Sequence, residues 1–306
     1  MSIGIVFPGQ GSQSVGMLLD IAVQYPSVRE LFGRASDVIG VDLWRVSAEG
    51  PVESLNRTEI TQPALLTASI ALWEILAARG ATARAMAGHS LGEYSALVAS
   101  GAMGFEDAVG VVRRRGELMQ RAVPAGEGAM AAVLGLDEAE VNSACDSVDG
   151  VVGAANFNAV GQIVIAGSAA AVAAAAEACK AIGAKRVVML DVSVPSHSPL
   201  MQPVEAGLAE VLAGVSISLP RCPVIHNVDA AVSSSTSELK QKLLKQLASP
   251  VRWVDCVQAL AALGVTQVFE CGPGNVLSGL IKRIDRNIEC TATGNLAGLQ
   301  SALARL

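Results

Sequence analysis

Short apolar segments typical of β-strands alternate with segments of helical periodicity through most of this chain. Ile3–Phe7 is one such apolar run, and it stops at the turn Pro8-Gly9-Gln10-Gly11. Further strand-like runs lie at 85–88, 224–228 and 266–271. Helical segments are predicted at 15–35, 63–79, 94–100, 105–123, 238–248, 254–263 and 276–284. Alternating strands and helices predict a mostly parallel sheet with helices on both faces.

The order of elements changes after Pro124-Ala125-Gly126-Glu127-Gly128, a segment typical of a hinge. Beyond it we predict strand, helix, strand, strand, helix and strand at 130–136, 137–148, 151–157, 162–166, 168–182 and 186–192. This βαββαβ order is the ferredoxin-like unit. We therefore expect an α/β protein in two parts. Residues 1–125 and 195–306 would form the large subdomain, and residues 126–194 an inserted small one.

The composition excludes several classes of protein. Of the 306 residues, 51% are hydrophobic and 16% charged, which provides a large core and excludes a disordered chain. The net charge of −6 and the aromatic content of 3% argue against nucleic-acid binding. The start of the chain lacks a basic segment, and no long uninterrupted apolar run follows it. We therefore expect neither a signal peptide nor a membrane span.

The cysteines and histidines are also informative. Six cysteines are scattered without short paired spacings, which indicates reduced thiols in a cytoplasmic protein. The three histidines are far apart in the sequence, so we expect no metal site. We expect a monomer, because no helix shows an exposed apolar stripe that would need a partner.

Gly88-His89-Ser90-Leu91-Gly92 matches the pattern G-x-S-x-G between a strand and a helix. A serine on such a sharp turn has its hydroxyl exposed, and small neighbours let the strand and the helix approach each other. The amide of the next residue, Leu91, then lies at a helix N-terminus, where it can bind an oxyanion. The alternative interpretation is an ordinary turn flanked by glycines.

A serine hydroxyl needs a base to become a nucleophile. His89 adjoins Ser90, so its side chain should point elsewhere, and His226 lies within a strand pattern typical of a core histidine. His197 follows Pro195 in a predicted return loop, a common place for catalytic groups. The pattern favours His197 over His226. No acidic residue stands out as a third member, so a Ser-His pair is predicted rather than a triad.

Two further segments contain candidate binding residues. The turn at 8–13 lacks the lysine of a phosphate-binding loop, so we interpret Gln10 as a second oxyanion donor. Arg113, Arg114 and Arg115 lie on one predicted helix. Successive helical residues are about 100° apart, so the three cannot all face solvent in the same way. One that turned into a cleft would bind a carboxylate, whereas the alternative for each is a solvated charge.

Six sequence motifs occur along the chain in a specific order. They are Phe7-Pro8-Gly9-Gln10-Gly11-Ser12-Gln13, Thr61-Gln62-Pro63-Ala64, Gly88-His89-Ser90-Leu91-Gly92-Glu93, Arg115-Gly116-Glu117-Leu118-Met119-Gln120, Val194-Pro195-Ser196-His197 and Gly272-Pro273-Gly274. In these motifs the chain resembles the malonyl-CoA:acyl-carrier-protein transacylases of bacterial fatty acid synthesis, over about residues 3–305. The resemblance implies a hydrolase-like α/β core with a ferredoxin-like insertion.

The resemblance also assigns catalytic roles. Ser90 corresponds to the nucleophile that carries the malonyl group as an ester, and His197 to its general base. Gln10 and Leu91 correspond to the residues whose amides form the oxyanion hole. Gln246 corresponds to the position whose main chain orients the histidine, in place of an acidic triad member.

The same resemblance assigns residues that hold the substrate. Arg115 corresponds to the residue that binds the free malonyl carboxylate, and Gln62 lines the same cleft. Ser196 is expected to face the acyl α-carbon, which favours malonyl over bulkier branched groups. No bound cofactor is implied, because malonyl-CoA is a substrate and the phosphopantetheine belongs to the acyl carrier protein.

Two residues depart from the family pattern, and both concern the carrier rather than the chemistry. Asn275 stands where a lysine is common, and Cys271 where an aliphatic residue is usual. Carrier proteins are acidic, as is this chain, so docking requires a local basic patch. The candidates are Lys282, Arg283 and Arg286, with Arg113 and Arg114 as alternatives.

The implied function is transfer of malonyl from malonyl-CoA to the carrier thiol by a ping-pong route in fatty acid synthesis. One alternative is a discrete acyltransferase that serves a polyketide synthase or a malonate decarboxylase. Another is a serine esterase or thioesterase, and a third is a non-catalytic docking subunit. The sequence does not indicate which carrier is served.

Overall fold

The computed structural model of the chain describes residues 2–124, 126–192 and 194–306. Ala125, which is part of the predicted hinge, lies outside the described residues. Met1 and Ser193, which are included in the predicted subdomains, also lie outside them.

Within the described residues, nine strands form two separate sheets. In chain order the strands are β1 Ile3–Phe7, β2 Ala85–Gly88, β3 Gly128–Leu134, β4 Val152–Ala159, β5 Gln162–Ser168, β6 Arg186–Met189, β7 Val224–Ile225, β8 Gln267–Glu270 and β9 Glu289–Ala292. The first sheet has the order β7-β2-β1-β8-β9, and all its pairings are parallel. Its central strands are buried on both faces, as expected of a parallel sheet covered by helices.

The second sheet is antiparallel and has the order β4-β5-β3-β6. With the helices α8 and α9 defined below, it follows the chain order βαββαβ, the ferredoxin-like arrangement. Its core is aliphatic and is separate from the core of the parallel sheet. The predicted fold class, a mostly parallel α/β core with an inserted ferredoxin-like unit, is confirmed.

Fourteen α-helices are present in the part of the chain that the structure describes. They are α1 Leu19–Gln24, α2 Ser27–Ile39, α3 Leu43–Glu49, α4 Val52–Leu55, α5 Thr58–Ala78, α6 Gly92–Ala99, α7 Phe105–Ala122, α8 Glu138–Asp146, α9 Ala169–Ala181, α10 Val204–Ala213, α11 Thr236–Lys245, α12 Trp253–Ala262, α13 Val276–Ile284 and α14 Leu296–Leu303. A short 3₁₀ helix spans Pro199–Met201.

Helix α5 begins earlier than the predicted start at Pro63, which lies inside the helix. Proline has no N–H, so it leaves the carbonyl of Glu59, four residues earlier, without its helical partner. The Nη1 of Arg113 donates a hydrogen bond to that carbonyl at 3.0 Å. A tertiary contact from α7 therefore supports the first turn of α5, which the local sequence does not predict.

Several other predicted elements are shorter in the structure. The predicted helix 15–35 is divided between α1 and α2, since Pro26 lies between them. The strand predicted at 224–228 ends at Ile225, and the one predicted at 186–192 ends at Met189. Strand β9 and helices α3, α4, α10 and α14 are not among the predicted elements.

By length and composition, helix α5 is long and apolar enough to cross a membrane. However, 83% of its most apolar 18-residue stretch is buried inside the protein. A helix that is apolar on all sides and covered by other elements is a core helix. Helix α5 packs against α7, which carries the three consecutive arginines.

Backbone hydrogen bonds join the antiparallel sheet to the segment between α11 and α12. The N–H of Phe157 donates to the carbonyl of Val251 at 2.9 Å, and the N–H of Val251 donates to the carbonyl of Ala155 at 2.9 Å. The segment that follows α11 therefore pairs with the edge strand β4. This pairing fixes the position of the antiparallel sheet relative to the loop that contains Gln246.

Candidate active site

The candidate site lies at the carboxyl edge of the parallel sheet, where the loops after four strands meet. The loop after β1 contains Gln10, the turn after β2 contains Ser90, and β7 leads directly into Asn227. Strand β8 leads into Gly272-Pro273-Gly274. In open α/β sheets this edge is where ligands bind, because the loops there converge from adjacent strands.

Ser90 occupies a sharp turn between β2 and α6. Its φ is 52°, in the left-handed region that non-glycine residues rarely adopt. A Cβ on Gly88 would lie 1.8 Å from the carbonyl carbon of Gly92, and a Cβ on Gly92 would lie 2.0 Å from the carbonyl oxygen of Phe7. Both flanking glycines are therefore required by close backbone contacts. The turn has the strained geometry of a nucleophile elbow.

His197 lies next to this turn. Its Nε2 is 2.7 Å from the Oγ of Ser90, and its Nδ1 is 2.7 Å from the main-chain carbonyl of Gln246. A carbonyl only accepts, so Nδ1 bears the proton and Nε2 accepts the hydrogen bond of the serine hydroxyl. Like Ser90, His197 has a positive φ, of 64°. Burial, with the positive charge of Arg115 as a second cause, lowers the pKa of His197 to about 3, so the ring is neutral at pH 7.

Two main-chain N–H groups are placed to bind an oxyanion. Leu91 precedes helix α6, and Gln10 lies in the loop after β1. Within the described residues, neither amide donates a hydrogen bond to the protein. The two loops run in contact, since a Cβ on Gly9 would lie 2.5 Å from the carbonyl oxygen of His89. The side chain of Gln10 donates a hydrogen bond to Thr58 Oγ1 at 3.3 Å.

Arg115 is fully buried, with 0% of its surface exposed. Its Nη1 donates to Gln62 Oε1 at 2.8 Å, its Nη2 donates to Gln246 Oε1 at 3.0 Å, and the guanidinium lies 5.6 Å from the ring centre of Tyr94. In the described part of the chain, Arg115 forms no salt bridge and its Nε has no partner. Burial lowers the pKa of Arg115. A buried cation bound only by neutral oxygens is suited to receive an anion.

Close helix packing brings Arg115 to this position. A Cβ on Gly116 would lie 2.6 Å from the Cα of Glu59 and 2.8 Å from the carbonyl oxygen of Thr58. Only glycine lets α7 approach the first turn of α5 so closely, and the approach places Arg115 beside Gln62. The neighbouring arginines both pair with Glu117; Arg114 is 42% exposed, whereas Arg113 is 24% exposed and also binds the carbonyl of Glu59.

A cavity of about 400 Å³ opens above the Ser-His pair. Four of the predicted site residues line it: Gln10, Ser90, Ser196 and His197. The antiparallel sheet provides part of the opposite wall, and the remaining wall includes helix α13. The lining side chains from these two elements are Met130, Asn156, Asn158, Val164, Val276, Leu277 and Leu280. The volume lies within the range typical of small-molecule sites.

The other predicted residues do not line the cavity. Leu91, Gln62, Arg115 and Gln246 are all fully buried. Gln246 connects Arg115 to Ser90, because its Nε2 donates to the carbonyl of Ser90 at 3.1 Å while its Oε1 accepts from Arg115.

The candidate docking residues lie at the end of α13. Lys282, Arg283 and Arg286 are all exposed. Helical periodicity places Arg283 on the same face as Val276 and Leu280, both of which line the cavity. Arg283 also donates to Gln162 Oε1 at 2.7 Å.

Three polar residues near the nucleophile were missed by the sequence analysis. Asn227 Oδ1 accepts a hydrogen bond from the Ser90 N–H at 2.7 Å, and Glu93 binds the side chain of His226 at 2.7 Å. Asn158 binds His89 Nε2 at 2.8 Å and joins the antiparallel sheet to the elbow. The signal that could have found Asn227 is its position after a predicted strand, at the edge where polar residues converge.

Fold and site together define an α/β protein with a serine at a strand-to-helix elbow, hydrogen-bonded to a buried histidine. This arrangement is shared by enzymes that form acyl-serine esters. The chain belongs to the acyl transferase domain family, which it matches over residues 5–300.

Curated relatives match the chain over nearly its full length. It is 50% identical to the malonyl CoA-acyl carrier protein transacylase of Salmonella typhimurium over 303 residues, which is 98% of each chain. It is 46% identical to the protein of the same name from Bacillus subtilis over 307 residues, which is 99% of this chain and 97% of the relative.

Solved structures agree with these relatives. The malonyl-CoA:acyl carrier protein transacylase of Xanthomonas oryzae is 50% identical and has a TM-score of 0.98, with 100% of this chain and 99% of that chain covered. A malonyl-transacylase in complex with its type II PKS acyl-carrier protein is 47% identical, also with a TM-score of 0.98 and with both chains fully covered.

Proposed function

We propose that this chain transfers a malonyl group from malonyl-CoA to the phosphopantetheine thiol of an acyl carrier protein, through an ester on Ser90, in fatty acid synthesis. Relatives that are 50% and 46% identical to it in sequence bear the name of that activity. The cavity holds a serine hydroxyl in hydrogen-bond contact with a neutral imidazole.

In the first half-reaction, Ser90 Oγ gives its proton to His197 Nε2 and attacks the thioester carbon. The developing oxyanion accepts hydrogen bonds from the N–H groups of Gln10 and Leu91. The C–S bond then breaks, and the CoA sulfur leaves with the proton from His197. The products are free CoA and a malonyl ester on Ser90.

In the second half-reaction, the carrier thiol enters the same cavity and gives its proton to His197 Nε2. Its sulfur attacks the ester carbon, the bond to Ser90 Oγ breaks, and the serine oxygen takes the proton back. One base therefore serves both steps, and the oxyanion contacts are used twice.

The observation that carries the substrate assignment is the buried guanidinium of Arg115, whose hydrogen bonds among the described residues go only to neutral amide oxygens. Two of its five N–H groups bind Gln62 and Gln246, so others remain for a carboxylate. The terminal carboxylate of a malonyl ester is an anion of the required size. A simple esterase substrate offers no such group and would leave the cation unpaired.

Intact mass after mixing with malonyl-CoA tests the proposal. We expect the wild-type chain to gain one malonyl group, the Ser90→Ala variant to gain none, and Ser12→Ala, which changes another serine of the cavity wall, to gain it normally. Absence of the adduct in the wild type would favour a docking subunit. An adduct lost to water as fast as to the carrier would favour a thioesterase.

A second candidate is malonyl transfer to the carrier of a type II PKS. It is favoured by the likeness to the complex of such a carrier with its malonyl-transacylase. Both candidates use the same chemistry, so only the acceptor separates them. Second-half-reaction kcat/KM measured with a fatty-acid carrier and a PKS carrier identifies the preferred partner.

We also infer that the carrier docks beside the cavity at the end of α13. The exposed cations of Lys282, Arg283 and Arg286 would face an acidic carrier surface, and Arg283 is on the face nearest the cavity. Arg283→Glu should lower kcat/KM for the carrier about 10-fold and leave the first half-reaction unchanged. The control is Lys180→Glu, an exposed cation on α9. Equal effects of both variants would contradict this docking site.

Two further assignments accompany the proposal. We place the subdomain boundaries at 125/126 and 194/195, because the four antiparallel strands all fall between them. We infer a cytoplasmic location from the six free cysteines, which are the form expected of thiols in a reducing compartment.

A further inference from the structure

A polar cluster lies behind the nucleophile, and the proposed mechanism does not use all of it. Glu93, His226, Asn227 and Gln246 are all fully buried. The carboxylate of Glu93 binds the other three. Its Oε1 accepts from His226 Nδ1 at 2.7 Å, and its Oε2 accepts from the Asn227 N–H and from Gln246 Nε2, both at 2.9 Å. A buried carboxylate is costly unless its oxygens are satisfied in this way.

Two members of this cluster hold the backbone of Ser90. The Ser90 N–H donates to Asn227 Oδ1 at 2.7 Å, and the Ser90 carbonyl accepts from Gln246 Nε2 at 3.1 Å. Asn227 is fixed in turn, because its Nδ2 donates to the carbonyl of Gly88 at 2.7 Å. Ser90 has a left-handed backbone, and such a conformation persists only where its surroundings determine it.

Gln246 also reaches the two other groups of the proposed mechanism. Its main-chain carbonyl accepts from His197 Nδ1, and its Oε1 accepts from Arg115 Nη2. Glu93 fixes the orientation of this amide, since a carboxylate attracts the NH₂ end and thereby turns the oxygen toward the guanidinium. Glu93 therefore binds the two residues that hold the Ser90 backbone, and one of them, Gln246, also binds His197 and Arg115.

We propose that Glu93 is the positioning residue of this active site: it holds Asn227 and Gln246 in the orientation that keeps Ser90 in its reactive conformation. Glu93 touches no reacting atom. The inference rests on the proposed function, because it concerns the rate at which Ser90 is acylated.

Glu93→Gln is the direct test, since it keeps the size of the side chain and removes the charge. The substituted amide has one acceptor oxygen where the carboxylate has two, so it cannot accept from His226 Nδ1 and also from Asn227 and Gln246, and its hydrogen bonds lose the charge that strengthens them. We expect the single-turnover rate of malonyl-Ser90 formation to fall about 100-fold, because small misplacements of reacting groups cost this much. The KM for malonyl-CoA should change less than about 3-fold.

A purely structural role would move stability and rate together. Leu299→Ala provides that reference, because Leu299 is fully buried in α14 and belongs to none of these contacts. We expect this variant to melt at a lower temperature and to acylate at the wild-type rate. If it slows acylation as much as Glu93→Gln at a matched loss of melting temperature, the positioning role is overturned.

A double-mutant cycle with Asn227→Leu gives a second measurement. If Glu93 acts through Asn227, Glu93→Gln should slow acylation less in the Asn227→Leu background than in the wild type. Fully additive effects of the two substitutions overturn the proposal. If Glu93→Gln does not fold, Asn227→Leu alone is the test, and a wild-type acylation rate in Asn227→Leu overturns the proposal. Wild-type protein that gains no malonyl mass would instead refute the proposed function.

Discussion

His197 and His226 are both buried, yet their surroundings differ in the group that receives the Nδ1 proton. His197 donates to the main-chain carbonyl of Gln246 and presents Nε2 to Ser90. His226 donates to the carboxylate of Glu93. The chain therefore has a buried carboxylate close to its Ser-His pair and uses it on the other histidine.

This difference indicates what sets the pKa of His197, the proposed base. A carboxylate behind a catalytic histidine stabilises the imidazolium, whereas a carbonyl orients the ring without adding a charge. Arg115 shifts the balance further, because its positive charge adds to burial in lowering the pKa of His197. A thiolate is a better leaving group than an amine, so transfer between thioesters does not require a strong base. The region around His226 instead supports the fold of the elbow.

The largest expected effect comes from exchanging the base for an inert side chain. His197→Ala should lower kcat/KM for malonyl transfer about 10³- to 10⁴-fold, since in the described part of the chain His197 is the group that the Ser90 hydroxyl contacts. His226→Gln should lower it less than about 10-fold. Steady-state kinetics of both variants check this, and the comparison between the two histidines is broken if they lose activity equally.

The next largest effect concerns Arg115, whose positive charge lies near His197. Arg115→Met should lower kcat/KM for malonyl-CoA about 100-fold or more, because a carboxylate would then be buried without a partner. The kcat/KM for acetyl-CoA should fall only slightly or should rise. Without the positive charge of Arg115, the pKa of His197 should rise, which NMR titration of the ring measures.

Arg114→Met is the matched control for that experiment, since Arg114 lies on the exposed side of the same helix. It should leave the kcat/KM for malonyl-CoA and for acetyl-CoA unchanged, and also the titration of His197. Full malonyl activity in Arg115→Met would refute the substrate assignment. An unchanged titration of His197 would show that the guanidinium does not tune the base.

The residues that carry motifs could be predicted from the sequence, because their chemistry depends on local pattern. The G-x-S-x-G turn indicated Ser90, and its flanking glycines indicated a sharp elbow. The order of the motifs linked it to His197 and Arg115, and the structure brings the three side chains to one edge of the sheet through Gln246. The alternation of elements likewise predicted the parallel sheet, and the βαββαβ order predicted the inserted ferredoxin-like unit.

The remaining features depend on tertiary contacts. Nothing in the local sequence indicates that Glu93 is buried, because a glutamate in a first helical turn usually faces water. Helix α5 begins before Pro63, where Arg113 binds the carbonyl of Glu59 that the proline leaves without a helical partner. Strand β9 is short and half exposed, so it lacks the apolar run by which the other strands were predicted.

A smaller effect is expected in the pH dependence of stability. The folded pKa of His197 is about 3, below its ordinary 6.5. Between these values the unfolded chain binds a proton that the folded chain does not, so the free energy of unfolding falls as the pH falls. The contribution is about 1.4 kcal/mol per pH unit. It is fully retained above the ordinary value and is lost progressively below it.

Urea unfolding of the wild type and of His197→Gln, at about pH 7 and about pH 5, isolates this contribution. The variant should lose less stability than the wild type over that interval. All other titrating groups are common to both proteins and cancel in the difference. Equal losses would mean that His197 takes up its proton normally in the folded state.

The smallest effect separates stability from catalysis in the region around His226. Lys242 Nζ binds Asp229 at 2.9 Å, Glu238 at 3.0 Å and the carbonyl of Val232 at 2.9 Å. It thereby holds the loop that contains Ser233, whose hydroxyl contacts His226 Nε2 at 2.9 Å. Lys242→Met should lower the free energy of unfolding by about 1 kcal/mol, because its partners are themselves partly exposed.

The control is Lys245→Met, an exposed lysine of the same helix, which should change the free energy of unfolding by less than about 0.5 kcal/mol. Malonyl transfer should stay within about 2-fold of the wild type in both variants, because neither lysine contacts the groups that hold Ser90. If Lys242→Met slowed transfer strongly at unchanged stability, the loop over His226 would belong to the catalytic machinery. The contrast between a supporting histidine and a reacting one would then have to be abandoned.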